Sequence, residues 1–411
     1  MGDGKYFGDG ILLAVLMKNI RRFLVHGWQP VLLGIIAFCA VSSLLFFRLE
    51  ALVPNFAAPE LAARESSSSI KQIVDDPSNA PHKLGQLTLQ SLGLEGPLAM
   101  RAISAAFGVL AVYLFFLVMQ SWFTTRIAML GSLLFATSSW FLHVARLATP
   151  DILQMGILAL LVCGIWLRFS QKRSSAIVIT GMVVAVSIYV PGFIWFITGF
   201  GIWKRRVIIY ELRRAPAKLV IPTSLASLVL AAPLVIVSVR NPQFIKTLIG
   251  LPEAFIGWEA MARNFIAIPI QLFARGPDNP VLWLGRLPIL DIFSAAMFVL
   301  GAYYVWVRRR LDRSKLLLGI FIGGSLLISL GGSVNLTMLL PFIYIIVTFG
   351  LVLMLQQWFV VFPRNPLARN LGVTLLSVVV LLSALYNLNH YFIAWPNAPQ
   401  TKATFNATME L

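Results

Sequence analysis

Residues 97–120 read PLAMRAISAAFGVLAVYLFFLVMQ, a run in which Arg101 is the one charged residue. A helix crossing a hydrocarbon core about 30 Å thick needs about 20 predominantly apolar residues, so this stretch predicts a membrane span. Ten further runs fit the same template or a shortened form of it: Gln29–Phe47, Ile127–His143, Ile152–Phe169, Ala176–Val190, Phe193–Trp203, Leu219–Val239, Pro288–Val307, Leu316–Leu330, Leu336–Trp358 and Leu371–Leu388. Composition agrees: 58% of the 411 residues are hydrophobic and 12% charged, against about 25% charged in ordinary globular domains. Mean hydropathy is +0.83. The expectation is an all-α integral membrane protein of about eleven helices.

The net charge of +17 suggests nucleic acid until the basic residues are located. They collect between alternate spans: Lys18, Arg21 and Arg22; Arg126; Arg168, Lys172 and Arg173; Lys204–Lys218; Arg308–Lys315; Arg364 and Arg369. That is the positive-inside pattern, so these residues are topological anchors with anionic-lipid contact, and nucleic acid is excluded as a partner. The pattern predicts a multi-pass plasma (inner) membrane protein with a cytoplasmic N-terminus and an external C-terminus. Residues 1–28 form a basic cytoplasmic segment, with an amphipathic surface helix over Ile11–Trp28. Residues 29–388 form the transmembrane domain, and 389–411 a short external tail. No cleavable signal peptide is expected, because no small-residue cleavage site follows the apolar run after Arg22. Cys39 and Cys163 lie within apolar runs and read as small buried hydrophobes.

Two long external loops remain, about 48–96 and 240–287. In the first, SSSSIKQIVDD (66–76) predicts a short helix start. HKLGQLTLQSLG (82–93) sets Leu84, Leu87, Leu89 and Leu92 beside polar residues, as an interfacial helix does. Ionisable groups near membrane depth are expensive and mark function by default. The external acids are Glu50, Glu60, Glu65, Asp75, Asp76, Glu95, Asp151, Glu253, Glu259, Asp278 and Asp291. No Cys and His cluster has metal spacing, so a divalent metal is not indicated. Tryptophans near span ends fit an aromatic belt. Pro191-Gly192 reads as a turn, and Asn335-Leu-Thr and Asn406-Ala-Thr match the glycosylation acceptor pattern.

The order of features resembles the GT-C class of polytopic glycosyltransferases, in particular the branch of protein O-mannosyltransferases and the lipid A aminoarabinose transferase. The resemblance runs from about Leu32 to Trp395. NFAAPELAARES (55–66) stands where that branch has an acidic motif after its first span, and Arg101 and Gly108 where it has Arg and Gly in the second. FATSSWFLHVARLATPDILQMGILAL (135–160), RGPDNPVLWLGRLPILDIF (275–293) and MLLPFIYIIVTFGLVLML (338–355) follow in the same order.

The resemblance implies an enzyme that transfers a sugar from a polyprenyl-phosphate-linked donor, outside the membrane, to a glycan, lipid or protein acceptor. Membrane lipids are its other partners. Such transfer needs a carboxylate to take the acceptor proton and cations to hold the phosphate leaving group. Glu60, the acid of the first loop, is the candidate base by position, and Asp151 is the candidate to orient the acceptor or the loop. Lys83, Arg146, Lys246, Arg263, Arg275 and Arg286 are the candidate phosphate-facing cations, with His82 and Arg101 in structural roles. Three departures stand out: Pro59-Glu60 in place of Asp-Glu, the order Pro81-His82, and no basic residue ahead of Pro341. The alternatives are a flippase for a lipid-linked glycan, disfavoured by the lack of an internal repeat, and a catalytically silent GT-C scaffold.

Overall fold

The computed structural model describes residues 28–53, 55–170 and 172–405. The predicted surface helix, apart from Trp28, and the Asn406 triplet lie outside the described residues. All the regular elements are helices. After α1 (Trp28–Phe46), the first loop carries α2 (Ala58–Glu65), α3 (Ile70–Asp75) and α4 (Ala80–Ser91). α5 (Pro97–Trp122), α6 (Thr125–Thr137) and α7 (Ser139–Arg146) follow, and a 3-10 turn (Pro150–Gly156) runs into α8 (Ile157–Phe169). Next come α9 (Arg173–Ser187), α10 (Phe193–Trp203), α11 (Arg205–Arg214) and α12 (Ala217–Arg240). The second loop carries α13 (Pro242–Leu248) and α14 (Trp258–Phe273). α15 (Ile292–Val307) and α16 (Asp312–Ser329) precede a second 3-10 turn (Leu336–Leu339) that opens α17 (Leu340–Val361). α18 (Pro366–Asn389), a π turn (His390–Ala394), α19 (Trp395–Asn397) and α20 (Pro399–Thr404) complete the chain.

A helix occupies every predicted span, but the segments differ in reach. Among the described residues, five are long and apolar enough to cross a bilayer, or six if the bent pair α6–α7 counts as one; four other apolar helices are shorter. The bend, 61°, has a local cause. Ser138 takes an extended conformation and caps a new helix by accepting from the Phe141 N–H at 3.4 Å. The chain is a multi-pass membrane protein.

α17 is the hub, with 89% of its apolar window buried. α15 packs on it almost backbone to backbone: a Cβ at Gly301 would stand 1.8 Å from the Ile346 carbonyl oxygen, and one at Gly350 2.0 Å from that of Met297. Small residues let helices approach this closely where dispersion rather than the hydrophobic effect drives association. Lys204–Asp312 (2.6 Å) and Arg173–Glu211 (3.2 Å) tie basic turns together at one end of the bundle.

The first-loop helices dock on the opposite end. α3 is capped by Ser69, which accepts from the Gln72 N–H at 3.3 Å, and α4 packs on α5. Leu84 and Leu92 stay exposed, while Leu87 and Leu89 pack against small buried clusters. Beyond Leu388 the chain does not trail away as far as Phe405. Tyr391, Trp395 and Phe405 are buried in the main core, and Trp395 Nε1 donates to the Pro280 carbonyl at 3.0 Å. Four aromatic residues in seventeen explain why this segment folds back rather than remaining a tail.

Candidate active site

Ala57 precedes α2 in an extended conformation, and Glu60, at the third helical position, reaches back to accept from the Ala57 N–H at 3.0 Å, half of a capping box. That local geometry turns the Glu60 side chain inward, where Arg101 of α5 meets it. Nε donates to Oε1 at 2.8 Å and Nη2 to Oε2 at 2.9 Å, and the Ala148 N–H adds a fourth bond, to Oε1, at 2.9 Å. Both side chains are buried. The remaining guanidinium protons go to the carbonyls of Leu49, Val53 and Asn55. A carboxylate offers about four lone-pair sites, and all those of Glu60 are used.

Through Ala148 the pair fixes the strap 146–151. Gln86 of α4 donates to the Ala148 carbonyl at 3.0 Å and accepts from Ser67 at 2.9 Å. His82 Nε2 lies 2.8 Å from Ser104 Oγ, which donates to the Thr149 carbonyl at 3.2 Å. Burial, then the neighbouring charge of Lys83, lowers the His82 pKa to about 3, so His82 is a neutral strut.

The strap ends at Asp151, on the first turn of the 3-10 helix and partly exposed. Thr149 Oγ1 donates to Oδ2 at 3.0 Å and Asn335 Nδ2 to Oδ1 at 2.7 Å. Acceptor capacity is left on each oxygen. Gln154 holds the partner loop, accepting from the Asn335 N–H at 3.2 Å and donating to the Ser333 carbonyl at 3.1 Å. Glu60, Arg101, His82 and Asp151 therefore belong to one hydrogen-bonded assembly.

The predicted cations separate. Lys83 is buried and spent on Asp76, donating to its carbonyl and carboxylate at 2.7 Å each. Arg146 is buried too; it donates to the Leu44 and Phe47 carbonyls at 2.7 and 2.6 Å, closing the end of α1, beneath the rings of Tyr391 and Phe392. Arg263 and Arg275 are exposed and share a cleft of about 610 Å³ along α14, floored by Ala262, Ile266, Ala267 and Ile270. Glu259 lies 3.4 Å from Arg263, and Asp278 4.0 Å from Arg275. Arg286 is exposed on the same loop and does not line the cleft. Lys246 donates to the Glu253 carbonyl at 2.7 Å.

Sequence reasoning missed two features. Asn335 reads as a glycosylation triplet, yet its amide binds Asp151 and the Thr337 N–H. His143 packs among Trp283, His390, Tyr391 and Trp395 with ring centroids 4.6 to 6.4 Å away. Pattern at one position carries no signal for the Asp151 contact or for the rings around His143, since those partners are more than a hundred residues away.

Two solved structures share this architecture. One is ArnT, the lipid A aminoarabinose transferase, from Cupriavidus metallidurans in the apo state, 16% identical over 92% of this chain and 77% of that one, with a TM-score of 0.56. The other is the same protein bound to undecaprenyl phosphate, 16% identical over 93% and 77%, with a TM-score of 0.55. The fold is GT-C. No family model and no curated protein matches the sequence. The clamped acid of the first loop, the strap ending at Asp151 and the α14 cleft all stand at the end of the bundle away from the basic turns.

Proposed function

We propose that this chain is an integral membrane glycosyltransferase that takes a sugar from a polyprenyl-phosphate carrier. The acceptor is a glycan, lipid or protein at the external face of the plasma (inner) membrane, with the N-terminus cytoplasmic and the C-terminus external. The GT-C fold supports the class of reaction, and one observation carries the site: Asp151 is held by two side-chain donors yet keeps acceptor positions open. In this reading Asp151 takes the proton of the acceptor hydroxyl. The acceptor oxygen bonds to the anomeric carbon as the carbon–oxygen bond to phosphate breaks, and the carrier phosphate leaves with the electron pair. Arg263 and Arg275 neutralise that phosphate while the apolar floor between them receives the first carrier carbons. Glu60 serves from behind, fixing Ala148 three residues before the base. No metal is assigned a part.

The test is sugar transfer in membranes from cells lacking the protein, complemented at equal expression with wild type, Asp151→Asn or Glu60→Gln. Transfer with wild type and none with Asp151→Asn supports the reading; transfer that survives Asp151→Asn refutes the assignment of the base. A second reading, a silent GT-C scaffold, draws on Pro59 beside a fully engaged Glu60. It predicts carrier binding without consumption of any donor.

A further inference from the structure

α14 belongs to the loop that the sequence places outside the membrane, but its contacts hold it against the bundle at one level. Midway along it, Asn264 Nδ2 donates to the Ser329 carbonyl, the last residue of α16, at 3.2 Å. Near its end, the Gln271 and Leu272 carbonyls accept from the Ile289 and Leu290 N–H groups, just ahead of α15. α15 and α16 meet at the basic turn Arg308–Leu311, so both contact points lie at the far end from it. The C-terminal half of α14 is therefore held at that end of the bundle.

Its faces differ sharply. Ile268 and Leu272 are buried beneath it. Trp258, Phe265, Ile266, Ile270 and Phe273 are exposed and recur at i, i+7, i+8, i+12 and i+15, one stripe of a helix. The stripe begins at an aromatic knuckle: Phe255 and Trp258 are 59% and 76% exposed with ring centroids 5.1 Å apart, joined through Gly257 at φ +86°. An external loop in water has no use for two large rings so exposed. α14 packs on α16, which exposes Ile322 and Leu326, an apolar surface that a bilayer covers in a multi-pass protein. Lys246, bonded to the Glu253 carbonyl two residues before Phe255, and Arg263, five residues beyond Trp258 and 3.4 Å from Glu259, are the cations nearest in the chain, as headgroup-facing cations are beside interfacial aromatics.

We infer that Phe255, Trp258 and the exposed edge of α14 form an interfacial anchor, seated among the headgroups and upper acyl chains of the outer leaflet. The occupant of this face is lipid, because α14 packs on α16, whose exposed side chains are apolar, and the patch is built of the residue types that favour the interface. Phe255 and Trp258 lie outside the α14 cleft, so the anchor at the knuckle is testable apart from any catalytic activity. It sets the α14 cleft at headgroup level.

The test uses the full chain in liposomes whose phosphatidylcholine carries bromine at shallow acyl positions, comparing wild type with Trp258→Phe. Subtracting one emission from the other isolates Trp258 among the eleven tryptophans. The anchor predicts that brominated lipid removes most of that component and that aqueous iodide leaves it intact. Quenching by iodide and not by brominated lipid would put the knuckle in water, and quenching by neither would mean that protein covers it; either result overturns the inference. Phe255→Asp, with helix content unchanged by circular dichroism, shifts the Trp258 component toward iodide quenching. Undiminished quenching by brominated lipid in that variant would contradict the paired anchor.

Discussion

Arg101 grips Glu60 with two parallel bonds, 2.8 Å to one carboxylate oxygen and 2.9 Å to the other, where water does not reach either residue. Removing one partner of such a buried pair leaves an uncompensated charge and costs about 3–5 kcal/mol, whereas replacing both with apolar residues is often neutral. Glu60→Leu and Arg101→Met should therefore each lower the melting temperature in detergent by many degrees, and the two together should lose less than the sum. Additive losses in the double variant would contradict a coupled pair.

The α15–α17 seam offers a control away from the site. A methyl group at Gly301 or Gly350 would collide with a backbone carbonyl rather than a flexible side chain, and overpacking of this kind costs about 1–3 kcal/mol. Thermal unfolding of Gly301→Ala and Gly350→Ala should show that loss, and unchanged melting would mean that the helices stand farther apart.

His82 gives the fold a pH dependence. Its pKa falls from 6.5 to about 3 on folding, so between those values the unfolded chain binds the extra proton and stability rises with pH. The contribution is complete above about 6.5 and is lost as pH falls toward 3, with a slope of at most about 1.4 kcal/mol per pH unit. In melts across this window His82→Gln, which keeps a hydrogen-bonding group near Ser104, should flatten part of the decline. A wild-type profile no steeper than that of His82→Gln would contradict a buried neutral imidazole.

The α14 cleft yields a binding prediction. Arg263→Gln with Arg275→Gln should weaken binding of a short-chain polyprenyl phosphate about tenfold or more, each charge-assisted bond contributing about 1.5–3 kcal/mol. Arg286→Gln, outside the cleft, should leave it within twofold, roughly the ±0.5 kcal/mol usual for surface changes. Calorimetry or native mass spectrometry measures both, and equal effects would dissolve the distinction.

The membrane class, the helix-bearing segments and the two loops were legible in the sequence because apolar run length and charge asymmetry are local properties. Crossing number was less so: Pro191-Gly192 announces its turn, but Ser138 breaks a helix in a way that a hydropathy window smooths over. At the site, the sequence marks Glu60 and Asp151 as costly acids but not their states. That one is saturated and the other left open depends on Arg101, Ala148 and Asn335, which lie 41, 88 and 184 residues from the acids they touch. The same blindness put Lys83 and Arg146 among the phosphate-facing cations, although each is committed to protein oxygens, and made a tail of a segment whose rings close the core.

The most direct test of the central claim is donor turnover by purified protein in proteoliposomes, supplied with a radiolabelled polyprenyl-phosphate sugar and an extract of envelope acceptors. Wild type should release free carrier phosphate as label enters the acceptor, and Asp151→Asn, folded to the same melting temperature, should lose on the order of 10²–10⁴ of the rate. A wild-type protein that binds the carrier yet consumes none of the donors offered would contradict the account and leave a silent GT-C scaffold in its place.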